Sequence, residues 1–210
     1  MKLINRDYYS PSILMKLIIS IFIYILSTSF AISQNVIEWN PKYQLQDSDF
    51  QASRHVGGEN ISVYAACSVG FGYQMNGYQF MFTKNFNSKV TTTFTKNASY
   101  ILATDTITRN KLLNFARAEF DLSELFARKF RQMMFEKKNA FSDPNFYQKL
   151  YEQVNAELAV RISQLTLDTN MGQADIRLQE QHEKILTEIN ALADFCKECK
   201  PKKKKSDNQD

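Results

Sequence analysis

The sequence predicts an α+β fold, because two hydrophobic periods follow one another along the chain. Up to Phe94 apolar residues alternate with polar or small ones, the period of a half-buried strand; from Thr108 they recur every three or four residues, the period of a helix facing a core. With 210 residues, 44% hydrophobic and 23% charged, the chain has the size and balance of one ordinary domain. The expected architecture is a small antiparallel sheet followed by three helices in a single domain over residues 34–199. A signal peptide is expected over residues 1–33 and a basic disordered tail over residues 200–210.

The N-terminal segment sets the compartment. Lys16 precedes an uncharged apolar run from Leu17 to Leu26, and the small residues Ala31 and Ser33 suit cleavage before Gln34. The run is shorter than the ~20 residues that cross a bilayer comfortably, so an export signal is favoured over a retained anchor. The mature chain is expected to be periplasmic, cell-surface or extracellular, with no stable membrane span after cleavage.

Each element has its own signal. Val36 to Trp39 and Asp49-Phe50 form an extended opening whose Trp39 and Phe50 should pack on something apolar. Ile61, Val63, Ala65, Cys67, Val69, Phe71 and Tyr73 share one parity and predict a strand. Asn76-Gly77 tolerates positive φ and predicts a hairpin turn, with Tyr78, Phe80 and Phe82 on the returning strand and Val90, Thr92 and Phe94 on the next. From Thr108 to about Glu136, the spacing of Leu112, Ala116, Phe120, Phe126, Phe130 and Met133 predicts a long helix. Asp143-Pro144 is a helix-start signal, followed by the stripe Leu150, Val154, Leu158, Ile162 and Leu165. Asp168 to Gly172 interrupts it, and Ile176, Leu178, His182, Ile185, Ile189 and Leu192 predict a third helix.

Composition excludes several chemistries. The formal charge is +4, but much of it lies at Lys200 and Lys202 to Lys205, and the body over 34–199 carries about −1, so no nucleic-acid footprint is present. His55 and His182 are too few and too far apart for a His-rich metal site. Cys196-Lys197-Glu198-Cys199 is a C-x-x-C at the end of the third helix, where the dipole disfavours a thiolate. A local disulfide or an intermolecular bridge fits this place better than thiol-disulfide catalysis. Cys67 falls on the inward parity of its strand and is expected to be a buried, small apolar residue.

The stretch Leu112-Leu113-Asn114-Phe115-Ala116-Arg117-Ala118-Glu119-Phe120-Asp121-Leu122-Ser123-Glu124-Leu125-Phe126-Ala127-Arg128-Lys129-Phe130-Arg131 resembles the central motif of the secreted bacterial domain-of-unknown-function 922 family, zincin-like proteins described as zinc-dependent proteases. Trp39, Leu45 and Asp49-Phe50 are similar to that family's opening W, L and D-F, and Asn97-Ala98-Ser99-Tyr100 resembles its strand ending in S-W. Asp168 to Gly172 and Gln181 to Ile185 resemble its T-N-H turn and the helix that follows. The family reads H-E-x-x-H where this chain has Phe115 for the first histidine, Ala116 for the glutamate and Glu119 for the second histidine; Met171 stands at the turn's histidine. The H-E-x-x-H spacing works because residues four apart share a helical face, so two imidazoles grip Zn²⁺ while the glutamate takes a proton from metal-bound water. Phenylalanine cannot coordinate, alanine cannot act as a base, and a thioether is a poor partner for zinc.

The resemblance therefore implies a zincin-like scaffold without its metal chemistry. The expected function is an exported, non-catalytic protein acting by binding or scaffolding at the cell envelope, with no cofactor and an envelope protein or polymer as partner. The alternative is a metal-dependent peptidase with rearranged carboxylates, Glu119 with Asp121, Glu124 or Glu157. Glu119 needs solvent or a partner, for which Arg117, Arg161 or Arg177 are candidates, while Asp121 and Glu124 could answer Arg117 and Arg128 four residues away.

Overall fold

A computed structural model describes residues 35–53, 63–138 and 145–201. The signal-like run Leu17 to Leu26, His55, Ile61, the Asp143-Pro144 start signal and Lys202 to Lys205 lie outside the described residues. The described residues from Ile37 onward fold as one compact unit. Among the described residues no helix is long and apolar enough to cross a membrane.

The fold is α+β, with short antiparallel strands and three long helices. In chain order these are β1 (Val36–Glu38), β2 (Tyr64–Ala66), β3 (Val69–Tyr73), α1 (Gly77–Phe82), β4 (Val90–Thr95), β5 (Tyr100–Leu102), α2 (Thr106–Lys137), α3 (Phe146–Thr169) and α4 (Asp175–Ala191). The strands divide into two sheets, β1-β4-β3 and β2-β5. In the first, Phe71 lies opposite Thr92 and Val69 opposite Phe94; in the second, Ala65 lies opposite Ile101.

Two strand expectations need correction. Of the predicted parity, Ala65 and Phe71 are buried and Cys67, Val69 and Tyr73 half-buried, but Val63 is exposed, and the chain breaks after Ala66 and feeds the two halves into different sheets. Asn76-Gly77 does not turn a hairpin; it starts α1. The Asn76 side chain accepts from the Gln79 N–H at 2.8 Å, and Gln79 Oε1 accepts from the Asn76 N–H at 3.2 Å. This reciprocal capping box stabilises a helix start, an alternative that an Asn-Gly pair leaves open. Tyr78, Phe80 and Phe82 therefore sit on a short helix, with Phe80 buried and Tyr78 and Phe82 exposed.

α2 is the central element. Asp105 caps it, accepting from the Thr108 N–H at 2.8 Å. Of the stripe read from the sequence, Leu112, Ala116, Phe120, Phe126 and Phe130 are buried and Met133 is half-buried, but Leu113, Phe115, Ala118, Leu122, Leu125 and Met134 on other faces are buried too. A helix buried nearly all round must be enclosed: α2 packs on β3 and β4 and against both α3 and α4. Two apolar clusters result. One gathers Leu45, Ala65, Phe94, Ile101, Leu112, Ala116 and Phe120; the other gathers Phe71, Phe80, Phe115, Phe126 and Phe130 with the inward residues of α3 and α4. Trp39 and Met171 pack against both. On α4, Leu178, Ile185 and Ile189 are buried as the period predicts, whereas Ile176, two residues from Leu178 and so on the far face of the helix, is 78% exposed.

The opening segment is pinned by a buried carboxylate. Asp49 accepts from the Tyr43 hydroxyl at 2.6 Å and the Gln46 N–H at 2.8 Å, and pairs with Lys96 at 3.2 Å. Burial pushes the Asp49 pKa up, but these donors outweigh it and hold the carboxyl below its ordinary range. Burial, with the Asp49 carboxylate, drives Tyr43 to about 12. Phe50, next in the chain, meets Phe94 edge to face at 5.1 Å.

Candidate functional site

The positions that the family motif marks converge around β2. Phe115 is 3% exposed and Ala116 is 0% exposed, each within one of the two apolar clusters. The turn after α3 descends onto them through three consecutive left-handed residues, Asn170 (φ 47°), Met171 (φ 51°) and Gly172 (φ 83°). Thr169 secures that turn: its hydroxyl donates to Leu165 O at 2.7 Å and accepts from the Gly172 N–H at 3.1 Å. The backbone at Gly172 comes so close that an added Cβ would lie 2.7 Å from Lys111 O and 2.8 Å from Phe115 Cβ. Met171 reaches the other way, its Sδ accepting from the Ala65 N–H of β2 at 3.5 Å. Where the motif has ligands and a base, this chain has a filled contact between α2, β2 and the turn.

Glu119 completes the group. It is half-buried, and its partner is the thiol of Cys67, not Arg117, Arg161 or Arg177. Arg117 is turned to Leu45 O and Asn114, and Arg161 to Glu188. Burial raises the Glu119 carboxyl from 4.5 to about 7, a shift that the Cys67 hydrogen bond partly opposes. Burial likewise drives the Cys67 thiol well above its ordinary value, with the Glu119 charge adding to it. The thiol is therefore a poor nucleophile at neutral pH. The small apolar role expected for Cys67 is thus incomplete: it is half-buried and packs on the apolar cluster, but it also serves the carboxyl.

The sign of the Glu119 shift makes stability depend on pH. A carboxyl whose folded pKa is raised holds its proton more tightly in the folded than in the unfolded chain. Stability then falls as pH rises from 4.5 to about 7 and stays reduced above that. Glu119→Gln should flatten this window and stabilise the protein at pH 8 by roughly 2 kcal/mol, allowing for the solvent that reaches the side chain. Urea unfolding of both proteins at pH 4.5, 6 and 8 checks it; parallel profiles would refute it.

The other acidic residues of the long helix go to separate partners. Asp121 holds the protein's only tryptophan and its one described histidine: Trp39 Nε1 donates to Asp121 Oδ1 at 2.7 Å, and His182 Nε2 lies 2.7 Å from Asp121 Oδ2. Asp121 thus answers His182 instead of Arg117. Glu124 does answer Arg128, at 3.0 Å, and it also takes Arg131 Nη1 at 2.9 Å and the Thr92 hydroxyl at 2.8 Å. Glu157 is exposed and accepts from Gln153. These carboxylates go to separate partners, and among the described residues no group of three His, Cys, Asp or Glu side chains that could hold a metal ion is found.

Cys196 and Cys199 are joined in a local disulfide, and Cys67 is free. The bridged turn is held by carbonyl acceptors: Asn85 and Asn87 both donate to Cys199 O, Asn87 also to Asp194 O, and Arg131 Nη1 to Phe195 O at 3.0 Å. Arg128 Nη1 donates to Ile189 O at 3.0 Å and Leu192 O at 3.4 Å, a second donor to carbonyls that also accept from the Leu192 and Phe195 N–H groups at the end of α4. Arg131 was readable from the sequence in one respect: Glu124, Arg128 and Arg131 at i, i+4 and i+7 share a helical face. The Trp39–Asp121–His182 link had no signal, since its members come from three distant segments.

Against known proteins the chain has no match: no family model, no curated protein and no solved structure corresponds to it.

Proposed function

We propose that this chain is an exported, non-catalytic domain that acts by binding or scaffolding at the cell envelope, on a zincin-like frame whose metal-site positions serve packing. The observation that carries this reading is the close contact around Phe115, Ala116 and Gly172, where a buried benzyl ring and methyl stand at motif positions and the Gly172 backbone packs directly on Lys111 and Phe115. Phe115 offers no ligand, Ala116 no base and Met171 only a thioether, which leaves Glu119 as a lone carboxylate among the motif positions, and the neighbouring carboxylates are engaged elsewhere. A disulfide between Cys196 and Cys199 suits an oxidising compartment, in keeping with the signal-like N-terminus. The partner on this reading is an envelope protein or polymer rather than nucleic acid.

The test is reconstitution. Protein purified free of metal, then given equimolar Zn²⁺ and passed over a desalting column, should retain far less than one zinc per chain and show no chelator-sensitive peptide hydrolysis. One tightly held zinc with hydrolysis abolished by chelator would overturn the proposal.

A further inference from the structure

A cavity of about 290 Å³ opens beside the buried end of the Glu124 network, walled by Trp39, Pro41, Thr92, Arg128, Arg131 and the disulfide turn at Cys196. Glu38 and Lys197, paired with each other, and the exposed Glu198 also line it. Its inner wall is formally unbalanced. Two guanidiniums, on Arg128 and Arg131, are 6% and 1% exposed, and between them they share a single carboxylate, that of Glu124. Carbonyl oxygens of Val90, Ile189, Leu192 and Phe195 accept several of the N–H groups, but a dipole offsets a buried charge only in part.

Donors remain after that accounting. Arg131 gives Nη1 to Glu124 and Phe195 O, and Nη2 to Val90 O; its Nε–H is withdrawn from solvent and has no acceptor among the described residues. Arg128 gives Nε to Glu124 and Nη1 to two carbonyls, which leaves its Nη2 edge. The Arg128 guanidinium also lies over the Trp39 ring, 5.4 Å from its centroid. A buried donor without an acceptor is costly, and buried cations without counter-charge more so. The charge deficit is of the kind a carboxylate at the Arg128 Nη2 edge removes, since a guanidinium offers paired N–H donors in a plane, whereas the Arg131 Nε–H lies behind the wall.

We infer that this cavity binds a small ligand bearing a carboxylate on an apolar body, of about the size of an amino acid. The carboxylate supplies the missing counter-charge to Arg128 and Arg131, and the body lies against Trp39 and Pro41. The volume exceeds what a simple ion fills and is at the lower edge for small-molecule pockets. This inference goes beyond the scaffold reading and does not depend on it: the zinc test and the binding test below can fail separately.

Trp39 is the only tryptophan, so its fluorescence reports on this cavity directly. The full chain is titrated with 4-methylpentanoate and, in parallel, with 4-methylpentanamide, which has the same body and shape without the charge. The acid should give a saturable Trp39 signal with a Kd on the order of 1 mM, the strength of one charge-assisted contact with modest apolar burial. The amide should bind at least about tenfold more weakly. Arg128→Met should abolish binding of the acid. If that variant does not fold, Pro41→Glu, which sets a like charge on the exposed wall, should weaken the acid by a similar tenfold or more while leaving the far-ultraviolet dichroism unchanged. No saturable signal with the acid, or equal binding of acid and amide, would overturn the inference.

Discussion

Glu124→Ala is expected to destabilise the domain by roughly 3–5 kcal/mol, because it leaves two buried guanidiniums without their shared counter-ion. Glu124 is 2% exposed, and three groups depend on its two oxygens: Arg128 and Arg131 on one, the Thr92 hydroxyl on the other. The substitution also leaves a cavity where a carboxyl was, and the arginines cannot turn to water without releasing the carbonyls of Ile189, Leu192, Phe195 and Val90. The loss should therefore reach the C-terminal disulfide turn as well as α2. An exposed pair provides the control: Glu188→Ala, which breaks contacts with Lys129 and Arg161, should cost no more than about 1 kcal/mol. Urea unfolding at fixed pH measures both. A loss below about 1 kcal/mol at Glu124 would mean that water reaches the arginines and that the network is not buried in solution.

Gly172→Ala is expected to cost roughly 2–4 kcal/mol, from a strained backbone and an overpacked contact together. With φ at 83°, the residue sits where a side chain is disfavoured, and the new methyl would collide with Lys111 O and Phe115 Cβ. Neither neighbour yields easily: the first is helix backbone, and the second is the root of a side chain that is 3% exposed. Gly72→Ala in β3 has nothing within 4 Å of the added carbon and should change stability by less than about 0.5 kcal/mol. The comparison tests the close contact that the functional proposal rests on. Equal, small effects at both glycines would show that the turn stands off from α2 and that the region of Phe115 and Met171 is open.

The elements of this fold differ in how much of them local chemistry settles. The long helix was legible because Leu112, Ala116, Phe120, Phe126 and Phe130 keep a helical period, and the strand at Val90–Thr95 because its alternation is clean. The end of α3 was legible in the run Asp168 to Gly172, where Asn170 and Gly172 are residue types that readily take the left-handed backbone that ends a helix. Asn76-Gly77 misled because the same asparagine suits a hairpin and a helix cap, and only Gln79, three residues on, separates them by closing the capping box. The break after Ala66 left no mark, since both halves of that stretch keep one parity and only sheet pairing sends them apart.

By itself the sequence determined that Phe115 offers a metal no ligand and Ala116 no proton acceptor, because a side chain's ability to ligate or to take a proton is a property of its atoms. It likewise determined the succession of strands and helices, because periodicity is local. Which partners Glu119 and Asp121 meet was decided only by tertiary structure, whereas Glu124 meets Arg128 and Arg131 within its own helix, as their spacing allows. Glu119 faces Cys67, and Asp121 takes Trp39 and His182. Those pairings join segments up to 82 residues apart, and a hydrogen bond acts over about 3 Å of space regardless of the length of chain between its partners.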